Sequence, residues 1–440
     1  MLAYYLDLAL RSLKRNKVLT ALMVLAIAVG IGASMTTLTV VHVLSGDPLP
    51  GRSAHIFFPQ VDPTPASWGR ASHPLEMMDE RSALDLWSAH RADRQALIVQ
   101  SPVKVSAPGV DHAPLMLSMQ STTSDFFPMF DVPFAYGAPW TSADDQGRAR
   151  VAVISADLND RLFDGGDSVG KTIRIRGSDV RIVGVLKPWR PSPMFYDPEG
   201  SVDGNMTSKG NYGRPEDVFM PFSASLEVND GHFFQYTCWG QPTSPGHLEH
   251  SPCLWVALWV ELDSPSKVAA YRAFLGDYAR QQKAMGRFAQ TDTRMLDLMQ
   301  WLRFEQVVPS DVTLQMWLAF AFLAICLFNT VGLLLAKFLR RSGEIGVRRA
   351  LGASRREIFT QCLIEAGLIG FIGGAGGWLL SLLGLWLVRR QQAPYADLVH
   401  MDVAMFVVTF ALSIAVSLLA GALPAMRASR ITPALQLKTL

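Results

Sequence analysis

The sequence predicts an integral membrane protein of four transmembrane α-helices, with a large α+β extracytoplasmic (periplasmic) domain inserted between the first and second spans. Three observations carry that class. The 440 residues are 49% hydrophobic and 18% charged, too apolar for an ordinary soluble protein and too polar to be membrane throughout. Four stretches are long and apolar enough to span, given a rise of about 1.5 Å per residue and a hydrocarbon core of about 30 Å. Between the first two of them, residues 45–311 have ordinary soluble composition, enough for one or two compact cores.

Residues 1–17 place Leu2, Tyr5, Leu6, Ala9 and Leu13 at helical spacing, with Arg11, Lys14 and Arg15 on other faces. That pattern predicts an amphipathic helix lying in the cytoplasmic membrane interface, or simply the lead-in to the first span. Residues 18–44 form that span and carry no charge apart from His42. The apolar run is longer than a signal-peptide core, and no small-x-small cleavage site follows at Ser45–Gly46–Asp47, so an uncleaved anchor is expected. Residues 312–336, 366–388 and 403–426 are the other three spans, all free of charge.

Charge sets the orientation. Arg11, Lys14, Arg15 and Lys17 precede the first span. Lys337, Arg340, Arg341, Arg348, Arg349, Arg355 and Arg356 fill the loop 337–365, and Arg427, Arg430 and Lys438 lie in the tail 427–440. The positive-inside rule makes these segments and both termini cytoplasmic. Arg389 and Arg390, in the short outer loop 389–402, break the pattern and are partly balanced by Asp397 and Asp402. No Asp, Glu, Lys or Arg falls mid-span, so an ion-coupled transporter has no visible machinery. The net charge of +2 gives no sign of a nucleic-acid partner.

In the inserted domain, Val151–Ile154 reads as a buried strand and Ala156–Phe163 as a helix. Lys171–Arg176 and Val180–Leu186 read as strands joined at Gly177–Ser178–Asp179, Trp255–Leu262 as a later strand, and Ser266–Gly286 as a helix. The Pro- and Gly-rich stretch from Pro188 to Pro221 reads as an excursion between strands. Two lobes are expected, one near 145–225 and one built from its flanks. Cys238 and Cys253 bracket a loop through Gly240, Pro242 and Pro245 in a disulfide-permissive place, which favours a structural disulfide over two free thiols. Cys326 and Cys362, in or beside spans, read as small apolar residues, and no Cys/His spacing resembles a metal site.

Gly165–Thr172 satisfies the phosphate-loop pattern G-x-x-x-x-G-K-[ST]. A working phosphate loop follows a strand and opens a helix, so that its amides face the phosphates. Here the helix comes first and the strand second, and no Walker-B strand accompanies them. The segment reads as a helix-to-strand turn.

The loop 337–365 is the most informative segment. Glu344, Ile345, Gly346, Val347, Arg348, Arg349, Ala350 and Leu351 can form two helical turns, broken by Gly352–Ala353. Ser354 and Glu357 have the spacing of a capping box that starts the third helix. A short positioned helix between two spans suits a cytoplasmic protein partner, and its arginines equally suit anionic membrane lipid. Within the third span, Gly370, Gly373, Gly374, Gly376 and Gly377 cluster, which marks close helix packing within the chain or between protomers.

Assembled, these features resemble the MacB/FtsX-type permeases, the mechanotransmitting (type VII) ABC transporters, across essentially the whole chain. The stretch Arg340–Ala353 resembles that family's coupling segment. Pro424–Pro433 is similar to its carboxyl-terminal motif, and Val151–Ser155, Leu162–Phe163, Val169–Ile173 and Val183–Val185 look like its outer-domain core. The resemblance implies a non-catalytic permease that binds no cofactor itself, works with a second permease (identical or paralogous), and leaves ATP and Mg to a dimeric ABC ATPase. It implies transmission of ATP-driven motion to the outer domain, for efflux with a periplasmic adaptor, for lipoprotein release, or as a relay controlling a cell-wall hydrolase.

Some relatives fuse an ATPase domain to the amino terminus; none is in this sequence, so a separate ATPase subunit is expected. Gly137–Trp140 stands where relatives often have Gly-Arg-x-Phe. The excursion 188–221 and the loop holding Cys238 and Cys253 are atypical too, so cargo does not follow from the resemblance.

Overall fold

The computed structural model describes residues 2–68, 73–108, 113–198, 200–202, 208–233, 235–242, 244, 247–391 and 393–430. Pro245, Lys438 and the 431–433 end of the carboxyl-terminal motif lie outside them. The chain divides into a helical unit, residues 1–45 with 308–440, and an inserted unit, residues 46–307.

Four helices of the first unit are long and apolar enough to cross a membrane: Lys17–Leu44, Ser310–Arg340, Arg355–Arg389 and Val403–Ser429. They outrun the charge-free stretches because backbone hydrogen bonding need not stop where the apolar run stops. The second, at 31 residues, is about 46 Å long at 1.5 Å per residue, so polar turns continue it at both ends. A shorter helix, Leu2–Arg15, precedes the first span. Of its expected apolar face, Ala9 and Leu13 are buried, while the side chains of Leu2 and Leu6 lie outside those described.

The third span packs against the first and the fourth. A methyl group at Gly373 would lie 2.7 Å from Ile27 Cγ2 of the first span, and Gly370 and Gly374 meet Ser417 and Ser413 of the fourth. The small residues therefore serve contacts within the chain. Hydroxyls in the spans mostly satisfy themselves on the preceding turn: Thr36 donates to Gly32 O (2.8 Å), Thr39 to Met35 O (2.7 Å) and Thr409 to Met405 O (2.7 Å). Ser34 instead donates across to Ala319 O of the second span at 3.1 Å. The two arginines that break the charge pattern have local uses. Arg389 Nε donates to Val399 O at 2.7 Å, and the Arg390 guanidinium lies 4.0 Å above the Trp386 ring.

The inserted unit is built on one ten-stranded sheet. Its strands are β1 (Ile56–Val61), β2 (Arg94–Ser106), β3 (Leu115–Thr122), β4 (Phe134–Gly137), β5 (Val151–Ile154), β6 (Thr172–Ile175), β7 (Ser178–Leu186), β8 (Val218–Pro221), β9 (Ala257–Glu261) and β10 (Thr293–Asp297). They run in the order β10-β1-β9-β2-β3-β8-β5-β7-β4, with β6 paired to both β2 and β7. β3–β8 and β5–β7 are parallel and the rest antiparallel. The β6–β7 turn sits at Arg176–Gly177, both at positive φ (48° and 90°), as a two-residue hairpin requires. The helix predicted at 266–286 runs Pro265–Ala284.

The two expected lobes share this sheet. One core gathers Leu97, Val99, Trp255, Leu258, Tyr271 and Tyr278, the other Val103, Val105, Ile154, Ile173, Ile182 and Val218. β2 feeds both, so the 145–225 segment takes part of its core from residues that precede it by about forty positions. The Pro-rich excursion is pinned to the sheet at Tyr196, whose carbonyl accepts from Trp259 Nε1 (2.8 Å) and whose hydroxyl donates to Glu216 (2.7 Å). Gln100 of β2 donates to the other Glu216 oxygen.

Candidate coupling site

The second span ends at Arg340, and after Arg341 a nine-residue helix, Ser342–Ala350, begins. Leu351 closes it, and Gly352 at φ +99° allows the chain to reverse, a conformation other residues adopt only with strain. The third span then starts on a reciprocal cap. Ser354 Oγ accepts from Glu357 N at 3.2 Å, and Glu357 Oε2 accepts from Ser354 N at 2.9 Å.

A helix this short is not stable alone and must be held by its neighbours. Glu344 accepts from Arg15 of the amino-terminal helix and from Arg341 Nε at 3.2 Å. Burial raises the Glu344 carboxyl, but these two guanidiniums outweigh it and leave its pKa lowered. Arg348 donates to Gln361 Oε1 of the third span at 2.9 Å, and Arg349 to Ser429 O at the end of the fourth at 3.3 Å. Ile345 packs on the apolar core of the bundle and Gly346 is buried.

The eight residues Glu344–Leu351 divide between two sides of the helix. Ile345 and Gly346 point into their own protein, and Arg348 and Arg349 reach neighbouring helices, because the apolar side of so short a helix is taken up by the bundle. What remains open is a stripe of Gly343, Val347, Ala350 and Leu351, at helical spacing, with Val347 48% and Leu351 83% exposed.

Beneath the helix lies a charge cluster that sequence reasoning missed. Glu365, only 2% exposed, has Lys337 Nζ 2.6 Å from Oε1 and Arg341 Nη1 3.2 Å from Oε2. The Lys337 ammonium is fully buried and sits off the hydrogen-bonding direction of the carboxylate, so their contact is an ion pair. Ser12 of the amino-terminal helix donates to Glu365 Oε1 and accepts from Arg341 Nη1 at 2.7 Å. By sequence Lys337 counts only among the basic residues of the loop 337–365. The available signal was its place at the margin of one apolar run, with Glu365 at the margin of the next.

The phosphate-loop look-alike is a turn. The helix Ala156–Phe163 leads into Asp164 and Gly165, both at positive φ, and β6 starts at Thr172. Lys171 Nζ lies 4.7 Å above the Phe163 ring. Cys238 and Cys253 are joined by a disulfide across a two-rung ladder.

Residues 20–276 match the family model of the MacB-like periplasmic core domain, and residues 316–433 that of the FtsX-like permease C-terminal region. An uncharacterized ABC transporter permease of Bacillus subtilis, YvrN, is 23% identical over 310 residues, covering 70% of this chain and 67% of its own length. The macrolide export ATP-binding/permease protein MacB 2 of Aeromonas hydrophila is 23% identical over 444 residues, 97% of this chain and 59% of that protein. The pyoverdine export ATP-binding/permease protein PvdT of Pseudomonas syringae is 25% identical over 329 residues, 74% of this chain and 42% of that protein. The chain thus spans 59% and 42% of the length of these two export proteins.

Proposed function

The chain belongs to the MacB/FtsX-type ABC transporter permeases, and from that premise we propose that it carries ATP-driven motion from a separate ABC ATPase dimer to its own extracytoplasmic domain. The observation that carries this reading is the helix Ser342–Ala350, fastened by one face to three other helices and open along Gly343, Val347, Ala350 and Leu351. An exposed apolar stripe on a well-anchored helix gives a partner something to grip and a stiff route for force. Arg348 and Arg349, held beside it, add positive charge that speeds association with an acidic groove. Basic residues at 11–17 and 337–356 support a cytoplasmic position for this helix and for both termini, in an inner membrane.

ATP and Mg belong to the partner ATPase in this reading, and the permease acts beside a second permease, identical or paralogous. The relatives named for macrolide and pyoverdine export support efflux, and a periplasmic adaptor is our proposal for how it is completed. Since those two names differ in cargo, neither is carried over.

Co-purification with the cognate ATPase tests the reading. Val347→Asp and Leu351→Asp should abolish capture of the ATPase while leaving the permease in the membrane at normal yield. Lipid binding through the arginines alone would leave capture intact in both variants. Wild-type capture by Leu351→Asp overturns the assignment.

A further inference from the structure

We infer that Glu365 is a positioning residue, which fastens the amino-terminal helix to the base of the coupling helix so that the two move as one body. The inference rests on the coupling reading above and extends it to a part of the chain that reading does not use.

Glu365 stands on the third span, yet its three partners come from three other places: Ser12 on the amino-terminal helix, Lys337 on the last turn of the second span, and Arg341 at the joint between that span and the coupling helix. A second carboxylate repeats the link. Glu344 of the coupling helix accepts from Arg341 and from Arg15. Ser12 and Arg15 are three residues apart, on one side of the amino-terminal helix. Arg341 touches both carboxylates and Ser12.

Polar contacts of this kind do something the surrounding apolar packing cannot. Ala9 and Leu13 are buried against the bundle, but apolar burial is non-directional and tolerates sliding. Hydrogen bonds and ion pairs fix position and angle. The burial of Lys337 and Glu365 makes the arrangement all-or-none, because separating them would leave an uncompensated charge out of water. Displacement of the coupling helix is therefore passed through Arg341 and Glu344 to Ser12 and Arg15. From there it passes across Asn16 into the first span, Lys17–Leu44, which leads to the inserted domain.

The test uses the permease–ATPase complex in nanodiscs, with Cys326 and Cys362 replaced by Ala, and compares Glu365→Gln and the apolar pair Lys337→Met/Glu365→Leu with wild type. The double variant fills the same space without buried charge and keeps the experiment informative if the single variant fails to fold. Spin labels at Arg11→Cys and Arg355→Cys report whether the amino-terminal helix stays fixed to the third span. Labels at Asp263→Cys and the equivalent site of the second permease report motion of the extracytoplasmic domains on trapping with ATP and vanadate.

The expected result is a narrow Arg11–Arg355 distance in wild type that broadens in the variants, with normal ATPase capture and an ATP-dependent Asp263 shift present only in wild type. If the double variant folds, captures the ATPase and still gives the full shift, Glu365 serves packing alone and the inference is overturned. If wild type itself shows no shift, the coupling reading fails, and the inference falls with it.

Discussion

Gly377 of the third span and Ile31 of the first are in such close contact that a methyl group on Gly377 would lie 2.8 Å from Ile31 Cγ2. Gly373 meets Ile27 in the same way one turn earlier. Neither isoleucine can give way without moving its helix, so Gly373→Ala and Gly377→Ala should each destabilise by about 1–3 kcal/mol through overpacking. Gly332 has open space where its side chain would be, and Gly332→Ala should be neutral or stabilising by up to about 1 kcal/mol. Thermal unfolding of the three variants in detergent checks the contrast; equal behaviour would remove the glycines from the interface.

The Cys238–Cys253 bond closes a loop with a sequence separation of 15. A loop of this size restricts the unfolded chain by about 3 kcal/mol. Replacing both cysteines by Ser should lower the stability of the extracytoplasmic domain by that amount, read by denaturant unfolding, and mass mapping of non-reduced peptides should recover the linked pair.

Glu216 gives the domain a pH response. Burial pushes its carboxyl up to about 7, against the hydrogen bonds from Tyr196 and Gln100 that favour the charged form; nearby Asp217 raises it further. The folded state therefore holds this proton more tightly than the unfolded state does, whose ordinary value is 4.5. Its contribution is fully present below the unfolded value and is lost as pH rises through about 7. Glu216→Gln, which mimics the neutral acid, should be more stable than wild type at pH 8 by about 3 kcal/mol and equal to it at pH 4. Melting curves of both proteins from pH 4 to 8 measure the difference directly, and parallel curves would contradict it.

Lys171 occupies the lysine position of the phosphate-loop pattern but stacks on Phe163. Lys171→Ala should leave ATP hydrolysis by the assembled complex near wild type and lower domain stability by no more than about 1 kcal/mol. A lost ATPase rate with normal folding would restore a nucleotide role to the segment.

Much of the local structure was legible in the sequence. The strand Val151–Ile154 and the helix Ala156–Phe163 fall where buried β-branched residues and a Ser155 cap place them. The capping box at Ser354 and Glu357 is formed. The direction in which Ile345 faces was not legible, because periodicity identifies an apolar side but not what covers it. The same limit hid the Glu365 cluster, where Ser12 and Glu365 are 353 residues apart. It also hid the long strand β2, whose pairing with β3, β6 and β9 depends on distant segments rather than on its own residues.

In the inserted domain, β1 and β10 lie side by side and antiparallel, with Phe57 opposite Asp297 and Val61 opposite Thr293. The chain therefore enters and leaves this ladder at the same end. Two leads drawn apart there would open the rungs in succession, as a zipper opens, each pair of strands giving way alone. Two leads that travel together put no tension on it. Under the proposed function, a concerted displacement of the two connections would leave this ladder unloaded, whereas drawing them apart would load it first at the Phe57–Asp297 rung.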